Sequence, residues 1–332
     1  MKKSEDRIIK KSTFEAVIPL AAATGIISIL YGIYRYGFYS PHKGQDDDHR
    51  LVIPLKTQAQ RNHTIELIDS LNARPFQQVY TYSSDGLRLS GKYIHFRDEA
   101  PLAILFHGYR GTPIRDFCGG ANLCFSMGLN VLLVHERSHG SSEGHTITFG
   151  VKERFDVLSW VDYAVKRFGK DVKIILGGIS MGAGTVLMAS GLDLPENVKG
   201  ILADCPFTSP EEIIMEFGKS KGFPMKVAYP LTFLSAKLFG DFSLTAADAV
   251  RAVKKTMVPI LIIHGEDDTL VPPEMSLRIA EANPAMIERY TFPGAEHGIS
   301  YMIDPERYAN ILSGFCERIF ADPKPDGQKC EM

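Results

Sequence analysis

The stretch "KIILGGISMGAG", residues 173–184, decides how the rest of the chain is read. An apolar run of the kind that makes a buried strand ends in Gly177 and Gly178, a lone Ser180 follows, and two more glycines lead into a helix-forming run. The string Gly178-Ile179-Ser180-Met181-Gly182 is G-x-S-x-G. A strand-to-helix turn this sharp strains the serine backbone and brings its neighbours together, so glycine is needed at both flanks. The hydroxyl then stands over a helix N-terminus, whose dipole favours developing negative charge. A dinucleotide loop would need G-x-G-x-x-G after the first strand, and that spacing is absent. A purely structural turn remains as the alternative, and it makes no demand on the rest of the chain.

Outward from this turn, apolar runs recur at 102–108, 130–136, 172–178, 200–206, 259–265 and 289–294. Helical patterns fall between most of them, at 151–168, 181–192, 273–282 and 305–320. Continuous apolar strands alternating with helices predict an α/β fold with a mainly parallel sheet covered on both faces. Before these runs, alternating residues on either side of Asp85-Gly86 read as a hairpin with a tight turn. Chemistry is then expected at the carboxyl ends of the strands, where Ser180 lies.

A serine hydroxyl is a poor nucleophile without a base, so the nucleophile reading demands a histidine and an acid further along. Of the ten histidines, only His297, in "FPGAEHGIS", lies beyond the last strand run and before the final helix. It is read as the general base. "LIIHGEDDTLVPP" places Glu266, Asp267 and Asp268 just past the preceding strand, and the H-G-x-x-D spacing selects Asp268. Asp204, at the tip of an earlier strand, is the weaker candidate. Oxyanion donors are expected from the Tyr109 amide, freed by the glycine before it in "LFHGYRG", and from the Met181 amide at the helix start. His107 is read as a brace of that loop.

In this order the segments "HGYRG", "HERSHGSSEG", "GGISMGAG", "HGEDDTLVP" and "GAEHG" resemble the α/β-hydrolase superfamily over residues 76–320. The nearest likeness is to bacterial membrane-anchored or secreted hydrolases of the serine esterase and prolyl-oligopeptidase-like group. Glu136 departs from the aspartate usual at its position, which in the family is structural. The resemblance implies a serine hydrolase of the α/β-hydrolase fold, with a helical cap between the strands ending at 206 and starting at 259. The cap is placed at about 209–243, and its Phe223, Met225, Tyr229 and Phe233 are candidates to line an acyl pocket.

Composition closes off other classes. With 332 residues, 45% hydrophobic and 23% charged, the chain is an ordinary globular one, and a formal charge of −2 without dense Lys/Arg runs argues against nucleic-acid binding. Five cysteines without C-x-x-C spacing suggest neither disulfides nor zinc, and no metal or organic cofactor is implied. The N-terminus differs in kind. Residues 16–34 carry no charge, basic residues from Lys2 to Lys11 precede them, and bulky residues follow where signal peptidase needs small ones. The expected organisation is therefore a cytoplasmic N-terminus (1–15), an uncleaved transmembrane anchor (16–38), a linker with a surface helix (39–75), the hydrolase domain (76–320) and a flexible tail (321–332). The catalytic domain would lie outside the cytoplasm, and a chain beginning near Pro41 would be fully active. The expected activity is cleavage of small acyl esters through a Ser180 acyl-enzyme. A peptidase using the same triad and a non-catalytic binding module stay open.

Overall fold

A computed structural model describes residues 24–41, 48–49 and 55–321. Residues 24–37 form helix α1, followed by α2 (Gln58–Asn72). The eight strands are β1 (Gln77–Tyr82), β2 (Arg88–Ile94), β3 (Leu102–Phe106), β4 (Asn130–His135), β5 (Ile174–Ile179), β6 (Val198–Asp204), β7 (Ile260–Gly265) and β8 (Ile287–Phe292). They build one sheet in the order β1-β2-β4-β3-β5-β6-β7-β8. The β1–β2 and β2–β4 pairs are antiparallel and every other pair is parallel. The parallel strands β3, β4 and β7 are buried at every residue, as unbroken apolar runs covered on both faces must be.

One face of the sheet is covered by α4 (Glu153–Phe168), α5 (Met181–Ala189), α8 (Ala249–Val253) and α9 (Pro273–Glu281), around buried Trp160, Val186 and Ile279. The other carries α2, α3 (Pro113–Ser126), α10 (Ser300–Ile303) and α11 (Pro305–Phe320), around Ile68, Phe125 and Phe315. The chain winds one way from β3 to β4 and the other way to β5. That reversal opens a crevice at the carboxyl ends of β3 and β5, where ligands of open α/β sheets bind.

Between β6 and β7 stand α6 (Pro210–Ser220) and α7 (Met225–Gly240). The sequence suggests a break at Tyr229-Pro230, but α7 runs through Pro230. Pro230 and Lys226, four residues back, are both exposed, so the carbonyl that loses its amide donor lies on the solvent side. The hairpin turn is also longer than a two-residue turn. Ser83 and Leu87 close it through Ser83 N to Leu87 O at 2.9 Å, and only Gly86 takes a positive φ, 88°.

The expected anchor requires correction. Its first part, 16–23, lies outside the described residues, as do the N-terminus 1–15, residues 42–47 and 50–54 of the linker, and the tail 322–332. Among the described residues no helix is long and apolar enough to cross a membrane. Instead Leu30, Tyr34 and Phe38 are buried against the domain, with Tyr34 and Phe38 in its core. Tyrosines at this end of the segment form a packing surface: Tyr31 and Tyr34 meet the Phe239 ring of α7 at 5.3 and 6.0 Å. Residues 39–40 do not form a free linker either. Tyr39 makes an antiparallel bridge with Thr146, and the Ser40 amide donates to His145 O at 2.9 Å.

Candidate active site

The turn after β5 has the backbone its glycines call for. Ser180 sits at φ 55° and ψ −112°, a conformation held only by its surroundings. A Cβ on Gly178 would lie 2.3 Å from Gly182 backbone atoms, and one on Gly182 would lie 1.9 Å from the Phe106 carbonyl oxygen. The crowding therefore comes from main chain, including that of β3, and not from neighbouring side chains. No side chain larger than glycine fits at either position without moving a strand or a helix.

Three of the residues singled out by the sequence meet here. Ser180 Oγ donates to His297 Nε2 at 2.8 Å, and His297 Nδ1 donates to Asp268 Oδ2 at 2.7 Å. Of the three adjacent acidic residues only Asp268 is buried, and only it reaches the histidine. Glu266 is exposed and accepts from Thr291, and Asp267 is exposed. Asp268 is fully satisfied: Oδ1 accepts the Leu270 and Val271 amides at 2.9 and 2.8 Å, and Oδ2 also accepts from His264 Nε2 at 3.1 Å. Burial alone would raise this carboxyl, but hydrogen bonds from His264, His297 and Val271 outweigh it and hold it well below the usual carboxylate range. It is a fixed anion facing the imidazole.

Asp204 lies nearby but does not touch His297. Its Oδ2 accepts from Tyr308 Oη at 3.0 Å, its Oδ1 has no partner among the described residues, and burial raises it to about 6 against that hydrogen bond. The next residue, Cys205, takes a positive φ of 47° and places Sγ 3.9 Å from His297 Nε2. Burial pushes its thiol well above the ordinary range, so at neutral pH it is a small apolar wall. Cys205, Asp268 and His297 are the one group among the described residues with ligand atoms close enough for a metal. Asp268 and His297 are already committed to each other there.

Tyr109 follows β3 and Met181 opens α5, so both amides lie at the crevice between β3 and β5. The loop carrying Tyr109 is braced by two neutral histidines. His107 Nδ1 donates to Gly108 O at 2.8 Å and its Nε2 accepts the Glu136 amide at 3.2 Å. His139 Nδ1 donates to Arg137 O at 2.9 Å and its Nε2 accepts the Arg110 amide at 3.1 Å. Burial pushes both imidazoles down to about 3, which keeps one nitrogen free to accept. Glu136 is buried too, with neither carboxyl oxygen partnered among the described residues, and burial beside Glu153 and Asp156 raises it well above its usual range.

A cavity of about 460 Å³ adjoins Ser180 and His297 and extends over the α3 and α11 face of the sheet. Leu105, Phe117, Cys124, Leu202, Met302 and Leu312 are among its walls. None of the four candidate pocket residues lines it. Phe223 is 53% exposed, Met225 packs on Gly218, and Tyr229 donates to Glu211 at 2.7 Å beside Phe233. The apolar side of α7 is occupied by α1: Ser235 Oγ donates to Leu30 O at 2.7 Å, and Phe239 meets two tyrosines. The sequence sent α1 to the membrane and so left α7 free to cover the serine. The actual pocket residues on α3 carry no motif that marks them.

The sequence model of the alpha/beta hydrolase family matches residues 103–311. Uncharacterized protein YqkD of Bacillus subtilis is 25% identical over 238 residues, covering 71% of this chain and 78% of its own. Lysophosphatidylserine lipase ABHD12 of Danio rerio is 27% identical over 195 residues, 55% of this chain and 47% of that protein. An esterase of Pyrococcus furiosus superposes with a TM-score of 0.63 at 22% identity, over 75% of this chain and 93% of its own, a likeness of fold.

Proposed function

The chain belongs to the alpha/beta hydrolase family, and from that premise we propose that it is a serine hydrolase that cleaves carboxylic esters through an acyl-enzyme on Ser180. The observation that carries the reading is the unbroken relay from Ser180 Oγ through His297 to Asp268, at 2.8 and 2.7 Å, on a strained turn. Ser180 attacks the acyl carbonyl while His297 Nε2 takes its proton, and Asp268 holds and stabilises the imidazolium. The Tyr109 and Met181 amides receive the oxyanion. His297 then protonates the leaving alcohol, and water enters by the same route to release the acid. The acyl group occupies the cavity beside Ser180, whose walls come from α3, α11 and the sheet. Ester cleavage, as opposed to amide cleavage, is supported by the Danio rerio relative, which carries the name of a lipase.

A fluorophosphonate probe followed by peptide mapping tests the nucleophile, and p-nitrophenyl esters set against aminoacyl and prolyl anilides test the bond. Labelling at Ser180 with ester turnover is the expected result. Anilide turnover in excess of ester turnover would make it a peptidase, and neither labelling nor turnover would leave a binding module. Attachment to a membrane, with the catalytic domain outside the cytoplasm, rests on the sequence of residues 1–35 alone. Resistance to carbonate extraction together with protease accessibility in spheroplasts is its test.

A further inference from the structure

The loop that carries the Tyr109 amide is fastened to the N-terminal segment by three hydrogen bonds. Tyr109 Oη donates to Gly37 O at 2.9 Å, and Arg110 Nη2 donates to Tyr36 O at 2.8 Å and Tyr39 O at 3.1 Å. The acceptors at 36 and 37 are the last carbonyls of α1, which have no partner within the helix and carry the negative end of its dipole. A guanidinium is the group suited to them. The segment that offers these carbonyls is itself held. Tyr34 Oη and Thr146 Oγ1 are 2.8 Å apart, and the Ile147 amide donates to Phe38 O at 2.8 Å. Phe149 joins the two sides, stacking on Tyr109 at 5.0 Å and meeting Phe38 edge-on at 6.1 Å.

Arg110 also has a positive φ of 51°, which a side chain with a Cβ adopts only when its surroundings require it. His139 grips its amide from the domain side, and residues 36–39 grip its side chain from the other. The direction of the Tyr109 amide is set between them.

We propose that the carbonyls of residues 36–39, acting through Arg110 and the Tyr109 hydroxyl, position the Tyr109 amide for the oxyanion, so that the N-terminal segment is part of the catalytic unit and not a tether to it. The proposal rests on the serine hydrolase reading above. Arg110 touches no reacting atom and is a positioning residue. Because an oxyanion donor bonds more strongly in the transition state than in the ground state, its misplacement lowers kcat and leaves KM alone. Complete loss of one such donor costs about 10² to 10³ in kcat, so partial misplacement is worth about tenfold.

The test is made on the full chain with a p-nitrophenyl ester. Arg110→Met, which keeps the length but not the donors, should lower kcat about tenfold with KM within about twofold. Arg110→Lys should recover part of that loss, and Tyr109→Phe should lower kcat about threefold. Thermal unfolding of each variant shows whether the fold is intact. Arg110→Met with wild-type kcat, or with KM raised and kcat unchanged, would overturn the proposal. Should Arg110→Met fail to fold, Tyr109→Phe decides, since it removes one hydroxyl, and an unchanged kcat there overturns it too. A wild-type chain that neither turns over nor takes the fluorophosphonate would instead bring down the hydrolase reading, and the positioning claim with it.

Discussion

Two apolar segments of this chain, β5 with its turn and α1, have different fates. β5 is buried on both faces and ends in a turn held by main-chain bonds, the Ser180 amide donating to Asp204 O at 2.8 Å and the Gly184 amide to Ser180 O at 3.0 Å. α1 and the residue after it bury one stripe, Leu30, Tyr34 and Phe38, and α1 leaves Ile26, Ile27 and Ile29 exposed. Apolar content says only that a segment leaves water. What decides its neighbour is whether its polar ends find partners in the protein, and the carbonyls at 36 and 37 find Tyr109 and Arg110.

The largest effect expected from breaking that contrast is at the turn. Ser180→Ala should lower kcat by on the order of 10⁴ to 10⁶ and leave the unfolding transition in place. A folded variant keeping a tenth of the activity would show that the turn is structural only. Next comes the acid. Asp268→Asn should cost on the order of 10³ to 10⁴ in kcat, whereas Asp267→Asn should stay within about twofold. Equal losses in the two would mean that burial had picked out the wrong carboxylate.

The buried histidines sharpen the contrast in stability instead of rate. His107, His135 and His139 fall from 6.5 to about 3 in the folded chain, so below 6.5 the unfolded chain binds more protons and stability drops as pH falls through that window. At pH 5 each should cost about 2 kcal/mol relative to neutral pH. The buried acids Glu136 and Asp204 are shifted upward and act in the opposite sense, so the check is a difference between chains: a His135→Gln variant whose stability, read from urea midpoints, changes between pH 7 and pH 5 as the wild type's does would rule this out. The smallest effects belong to α1. Leu30→Ala should destabilise by about 2 kcal/mol as a core truncation, and Ile27→Ser by less than about 0.5 kcal/mol. The same shift in unfolding temperature for both would mean that α1 has no packed stripe.

The same contrast explains how far the sequence could be read. Ser180, His297 and Asp268 were legible because each stands at a fixed offset from the end of a strand, and strand order orders them in space. The sheet was legible because its central parallel strands are near-continuous apolar runs. The pocket was not. Which face of a sheet opens beside the serine depends on how α3 and α11 sit, and Phe117, Cys124 and Leu312 look like any core residues in one dimension. Pro230 misled because the helix carries it on its exposed side, where the loss of one amide donor is tolerated. Arg110 offered no signal at all, since its partners are main-chain carbonyls seventy-odd positions away.

The glycines at 178 and 182 have an evolutionary consequence. Their Cβ positions are occupied by main chain, one of them by the Phe106 carbonyl oxygen 1.9 Å away, so mutation cannot drift through either site while the strands stay where they are. Selection for folding alone would preserve both glycines in every descendant, whether or not Ser180 still worked. The five-residue signature is thus inherited as a record of the turn, and its presence in a relative says nothing by itself of whether the serine there reacts.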